Sequence, residues 1–175
     1  IMIALTEKMG MRLGLDIEWT AEIAYGQIAQ ALSAGKIDMF CSGLASTMKR
    51  GRRIAFTRPL FFGTLDAIVM AGDKRFDHNL DAINNPGVTI AVNDGDVSKR
   101  IADLEFPKAD QLAKIQMGGD AQLLLNVASG KADVTFSNRA IVQSFREDNP
   151  GKVRVVPADQ PLRTFSVAYG LPITA

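Results

Sequence analysis

The chain has 175 residues, enough for one substantial domain or for two small lobes sharing a crossover. Its 20 basic and 19 acidic residues leave a net charge of +1, too balanced for a dedicated nucleic-acid binder. A single cysteine excludes an internal disulfide and a cysteine-based metal site, and a single histidine excludes a multi-histidine metal cluster.

In chain order, "IMIALTEKMGMRLGLD" repeats apolar residues at three- and four-residue spacing and predicts a helix stopped by Gly14. "DIEWTAEI" alternates and predicts a strand. "YGQIAQALSAGK" predicts a second helix ended by Gly35. A short buried strand "IDMFCSG", a short helix "TMKRGRRI" and an apolar strand "TLDAIVMAG" come next. The polar loop "DKRFDHNLDAINNPG" carries His78, read as a surface residue. Beyond it lie strand "VTIAV", turn "NDG", helix "DVSKRIADL" and a short strand near "AKIQMG". "DAQLLLNVASGK" is an amphipathic helix followed by strand "ADVTFSN"; then come helix "RAIVQSFRED" and strands "KVRVV" and "RTFSVAYGLP". Helices alternate with strands throughout, which predicts an α/β architecture with largely parallel sheets.

No apolar run reaches the ~18 residues of a membrane span, and no signal peptide is visible, so the chain is either cytosolic or has lost a targeting segment. No Gly-x-Ser-x-Gly elbow accompanies His78, so no Ser-His-Asp site is predicted. No metal, cofactor or catalytic residue is expected.

Two segments echo each other. "ALSAGKIDMFCSG" (31–43) and "NVASGKADVTFSN" (126–138) each end a helix on Gly-Lys, place an Asp at 38 or 133, enter an apolar strand and close on Ser42 or Ser137. Glycine takes the left-handed conformation that ends a helix, and lysine suits the negative end of its dipole. The echo reads either as two copies of a common helix–strand junction or as two similar lobes. In the second reading Ser42-Gly43-Leu44-Ala45 and Ser137-Asn138 face a shared cleft beyond the strand ends.

Five basic residues, Lys49, Arg50, Arg52, Arg53 and Arg58, follow "SGLAST". The block "AGKIDMFCSGLASTMKRGRRIAFTRPLFF" resembles the extracellular solute-binding proteins of bacterial ABC importers, in the polar amino-acid group; "IAVNDGDVSKR" and "SGKADVTFSN" match weaker elements of the same pattern. The resemblance covers essentially the whole chain. It implies a two-lobed periplasmic-binding-protein fold (type II), each lobe a sheet flanked by helices. Lobe 1 would comprise 1–66 with 168–175 returning to it, and lobe 2 would comprise 67–167. The lobes would close on a hinge through "TLDAIVM" and "FSVAYG". It also implies export to the periplasm or cell exterior and a membrane permease as partner. The solute would be small and carboxylate-bearing.

By this resemblance Arg50 forks onto the ligand carboxylate, a task for a guanidinium rather than an ammonium. Ser42, Gly43 and Ala45, with the start of the helix after Ser46, line the same anion. The other four basic residues are read as solvent-facing. Asp96 and Val97 of the 94–97 turn, and Asn138, face the ligand from the second lobe, and Tyr25 contributes an aromatic wall. Three departures stand out: Ala45 where the family often has a hydroxyl, Asp94-Gly95-Asp96 for Gln-Gly-Thr, and Asn138 for the acid that receives the ligand ammonium. Asp96 reads most simply as a cap for its own helix. Either the ligand is not a standard α-amino acid or Asp96 pairs with its cation. The family's opening strand and closing helices have no counterpart here, which reads as a fragment or as a chain completed by another copy. The same fold also serves ligand-sensing domains of membrane signalling proteins and certain dehydratases and lyases, two further expectations.

Overall fold

Two stretches of chain, Ile1–Phe62 and Phe165–Ala175, make one unit of the fold, and Gly63–Thr164 makes the other. This is a computed structural model, and it describes residues 2–20, 22–114, 119–157 and 159–173. The helices among those residues are α1 (Met2–Leu13), α2 (Ile28–Ser33), α3 (Met48–Gly51), α4 (Val97–Glu105), α5 (Gly119–Ala128) and α6 (Arg139–Asp148). The strands are β1 (Phe40–Ala45), β2 (Ala55–Phe56), β3 (Phe61–Met70), β4 (Thr89–Asn93), β5 (Asp110–Lys114), β6 (Val134–Ser137), β7 (Val153–Val156) and β8 (Arg163–Leu171).

In the first unit, α1 stops at Gly14 (φ 65°), and the Leu15 N–H returns to the Gly10 carbonyl at 2.9 Å. Thr6 and Gly10, one turn apart, are the buried residues of this helix. The Thr6 hydroxyl lies 2.8 Å from the buried Tyr169 hydroxyl on β8. A Cβ at position 10 would come within 2.6 Å of Ile17, so glycine lets the following segment fold back onto α1. That contact bears on a correction. The strand expected over 16–23 does not form at residues 16–20 or 22–23; Ala21 lies outside the described residues. Alternation specifies which face a strand would bury, but a ladder also needs a partner edge. Ile17 packs on Gly10 instead, and Trp19 is left 46% exposed.

Helix α2 follows a single 3₁₀ turn at Tyr25–Gln27. β8 pairs antiparallel with both β1 and β2. Ile28, Leu32, Phe40, Leu44 and Ile54 form the core beneath them.

The second unit has strand order β5-β4-β6-β3-β7. β4 runs parallel to β5 and β6, whereas β3 is antiparallel to β6 and to β7. β3 meets both partners through Ala67–Val69, so they occupy its two edges. The expected largely parallel sheets are therefore mixed. Helical crossovers make strands such as β4 and β5 parallel. β3 and β8 are reached through loops and carry the antiparallel pairings.

Ile68, Ala91, Leu123, Leu124, Val127, Val142 and Phe145 form a core on one side of this sheet. On the other side Phe106, just after α4, stacks on Phe136 with ring centroids 5.5 Å apart. The short strand expected near "AKIQMG" appears as β5; Ile115–Gly118 lie outside the described residues. His78 is exposed, as expected.

The echoed junctions are built alike. Gly35 (φ 64°) and Gly130 (φ 72°) are left-handed. At each, the glycine N–H bonds the carbonyl three residues back and the following lysine N–H the carbonyl five residues back: Leu32 and Ala31 in one case, Val127 and Asn126 in the other. The likeness ends at the serines. Ser137 closes β6, but β1 runs three residues past Ser42 to Ala45.

Candidate functional site

Candidate residues gather separately in each unit. In the first, β1 departs from its ladder: Phe40 faces Gly170 and Leu44 faces Ala168, so four positions on β1 span two on β8. Gly43 sits in that bulge at φ 82°, and a Cβ there would press on Val167 Cγ1 at 3.1 Å. Only glycine takes this turn without strain and crowding together. Ser42 is exposed beside it, and Ala45 is buried and paired with Val167.

Thr47 then caps α3, its hydroxyl accepting from the Arg50 N–H at 3.3 Å. That cap orients Arg50. Its Nη1 donates to the Ala45 carbonyl at 3.0 Å, and its Cζ lies 5.7 Å from the Tyr25 ring centroid. Tyr25 in turn leans on Phe40 at 6.2 Å. Lys49, Arg52, Arg53 and Arg58 are exposed, whereas Arg50 is half-buried. The expected contribution from the start of α3 has a weaker basis. The helix is a single turn, and the Ser46 N–H is already bonded to the Ser166 carbonyl. Cys41 is half-buried, and burial pushes its thiol up.

In the second unit Asp96 caps α4, as expected. Its Oδ2 accepts from the Ser98 N–H at 3.4 Å and from the Ser98 hydroxyl at 3.0 Å. Ser98 Oγ also accepts from the Asn93 N–H, which ties the cap to the end of β4. Val97, half-buried, opens the helix. Asn138 caps α6: its Oδ1 accepts from the Ala140 N–H at 2.8 Å and its Nδ2 donates to the Thr64 carbonyl at 3.2 Å. Both ends of that amide therefore serve the fold. Beside it, Arg139 grips the fully buried Asp66 carboxylate through Nε and Nη2 at 3.2 and 2.8 Å, which raises the guanidinium pKa.

Sequence reading missed two residues here. Asp120, in the first turn of α5, accepts from the Ser137 hydroxyl at 3.0 Å. Burial, and then the nearby Asp96 charge, push its pKa up to about 6 against the opposing pull of Ser137. Asn93, at the end of β4, is 3% exposed, and its Oδ1 has no hydrogen-bond partner among the described residues. An acid ahead of an apolar periodic run marks a helix start, which is how Asp120 reads in the sequence. Nothing local marks Asn93.

No helix among the described residues is long and apolar enough to cross a membrane. A "Probable histidine-binding protein" of Campylobacter jejuni is 24% identical over 166 residues, covering 94% of this chain and 61% of its own. A cyclohexadienyl dehydratase of Pseudomonas aeruginosa is 25% identical over 137 residues, covering 78% and 50%. The chain thus spans between half and about three fifths of these relatives. Among solved structures, an amino acid ABC transporter substrate-binding protein of Streptococcus pneumoniae bound to L-arginine superposes with a TM-score of 0.83 at 17% identity, over 99% of this chain and 70% of the other. The model of the bacterial extracellular solute-binding proteins, family 3, matches residues 1–156, and the chain belongs to that family.

Proposed function

We propose that this protein is the solute-binding receptor of an ABC-type importer, working outside the cytoplasmic membrane and delivering a small carboxylate-bearing solute, an amino acid or a close relative, to a membrane permease. The observation that carries the reading is the setting of Arg50. Of five clustered basic side chains it alone is drawn inward, with its guanidinium held between the Ala45 carbonyl and the Tyr25 ring. A planar fork so oriented is suited to a carboxylate. The Gly43 bulge keeps Ser42 exposed on the same strand, where it adds a hydroxyl donor. Relatives named for histidine, arginine and amino-acid binding support this solute class. In the second unit Asp96, Val97 and Asn138 stand at the ends of β4 and β6, where α4 and α6 begin.

The role is binding, not catalysis. The dehydratase relative favours a second reading, elimination of water from a solute. Calorimetric titration of the full-length protein with L-arginine, L-lysine, L-histidine and L-glutamine tests the first. We expect one of them to bind and Arg50→Ala to weaken it about 100-fold, as removal of a charge-assisted pair does. If Arg50→Ala binds as tightly as the parent, the carboxylate model is wrong.

A further inference from the structure

In the first unit a line of ring contacts leads from the core to Arg50. Phe40 opens β1, is 9% exposed and packs with Ile28, Leu32, Leu44 and Ile54. Its ring centroid lies 6.2 Å from that of Tyr25, with 58° between the planes. Tyr25 is half-buried and packs against the edge of the same core. On the other side of the Tyr25 ring sequence, Arg50 lies over the ring with its Cζ 5.7 Å from the centroid.

One contact that sets the Arg50 guanidinium is polar. The Ser46 N–H bonds the Ser166 carbonyl, so the next pair on the antiparallel β1–β8 ladder, Ala45 with Val167, exchanges no hydrogen bonds. The Ala45 carbonyl is thereby turned off the ladder, where it accepts from Arg50 Nη1 at 3.0 Å. A hydrogen bond from one nitrogen fixes a point of the guanidinium but not its plane. The Tyr25 ring gives that plane a surface to lie against, through the attraction of a cation to an aromatic face. Tyr25 itself belongs to a three-residue 3₁₀ turn, and Phe40 supports its ring from the core side. A fork whose torsions are set before the solute arrives loses less freedom on binding.

We propose that Phe40 is a positioning residue of the receptor: by supporting the Tyr25 ring it holds the Arg50 guanidinium in the orientation that meets a carboxylate. Resting on the receptor reading above, this role adds to it a buried residue that acts at one remove, and it makes Tyr25 the platform of Arg50.

A residue that acts through Arg50 loses its effect once Arg50 is gone, whereas a merely structural residue keeps it. The full-length protein is therefore titrated by calorimetry with the tightest binder among L-arginine, L-lysine, L-histidine and L-glutamine. Phe40→Leu and Tyr25→Leu are each measured in the wild type and in Arg50→Ala. We expect each to weaken binding about tenfold in the wild type and by no more than about twofold in Arg50→Ala. Tyr25→Phe, which keeps the ring, should restore binding to within about threefold of the wild type. Leu32→Ala, a cut in the same core, should lower the melting temperature and leave affinity within about twofold. Should Phe40→Leu fold poorly in a thermal melt, Tyr25→Leu at the half-buried position carries the same cycle. A tenfold loss in both backgrounds, or no loss in the wild type, would overturn the positioning role and leave the receptor standing. No binding of any of the four amino acids to the wild type would overturn both.

Discussion

Asp120 shows how burial and a neighbouring charge act on one carboxyl. Its folded pKa, about 6, lies above the ordinary 3.8. Between those values the folded protein holds a proton that the unfolded chain has released, so stability falls as pH rises through this window. Above pH 6 the cost is full, about 3 kcal/mol, and below pH 3.8 it is absent. Asp120→Asn should therefore be more stable than the parent at pH 7 and gain nothing near pH 3.8. Urea unfolding midpoints at the two pH values would show this, and an equal gain at both would rule the mechanism out. Asp66 is the opposite case, a fully buried carboxylate held by a bidentate arginine. Arg139→Ala leaves that charge uncompensated and should cost about 3–5 kcal/mol, well beyond an exposed pair. In the double variant with Asp66→Ala part of the loss should return; a strictly additive cycle would show that the pair is not coupled.

At the scale of elements, glycine geometry separates positions that look alike in the sequence. Gly35 and Gly130 end α2 and α5 with positive φ, and a Cβ at Gly35 would meet nothing within 4 Å. Gly35→Ala should cost only the left-handed strain, about 1 kcal/mol. Gly43 combines φ 82° with a Val167 contact at 3.1 Å, and β-branched Val167 has little freedom to move aside. Gly43→Ala should cost about 2–3 kcal/mol and should weaken solute binding through the displaced β1–α3 segment. Equal melting temperatures for the two alanine variants would refute this ranking. Most elements were legible because their signals are local: apolar periodicity for α1 and α6, Gly-Lys endings for α2 and α5, and an Asp cap for α4. The segment 16–23 was misread because a strand needs a neighbour, and alternation says nothing of where one lies.

For the whole molecule, a solute that binds only the folded state raises stability in proportion to its occupancy. A hundredfold excess over Kd contributes about 2.7 kcal/mol, a rise in Tm of about 5–10 °C. The tightest amino acid should shift the wild-type melt in this way and leave the Arg50→Ala melt in place. A shift of the same size in Arg50→Ala would place the solute elsewhere.

The sequence by itself determined the family pattern, the α/β class and the singling out of Arg50, because each of these resides in residue order and local spacing. It also showed Asp96 as a cap and His78 as a surface residue. The tertiary structure decided the mixed sheet direction and the local bonds that occupy Asn138. It decided, too, the meeting of Asn93, Ser137 and Asp120, which are spread over 44 positions of the chain. Strand register and helix docking bring such groups together, and neither is written in any short stretch of sequence.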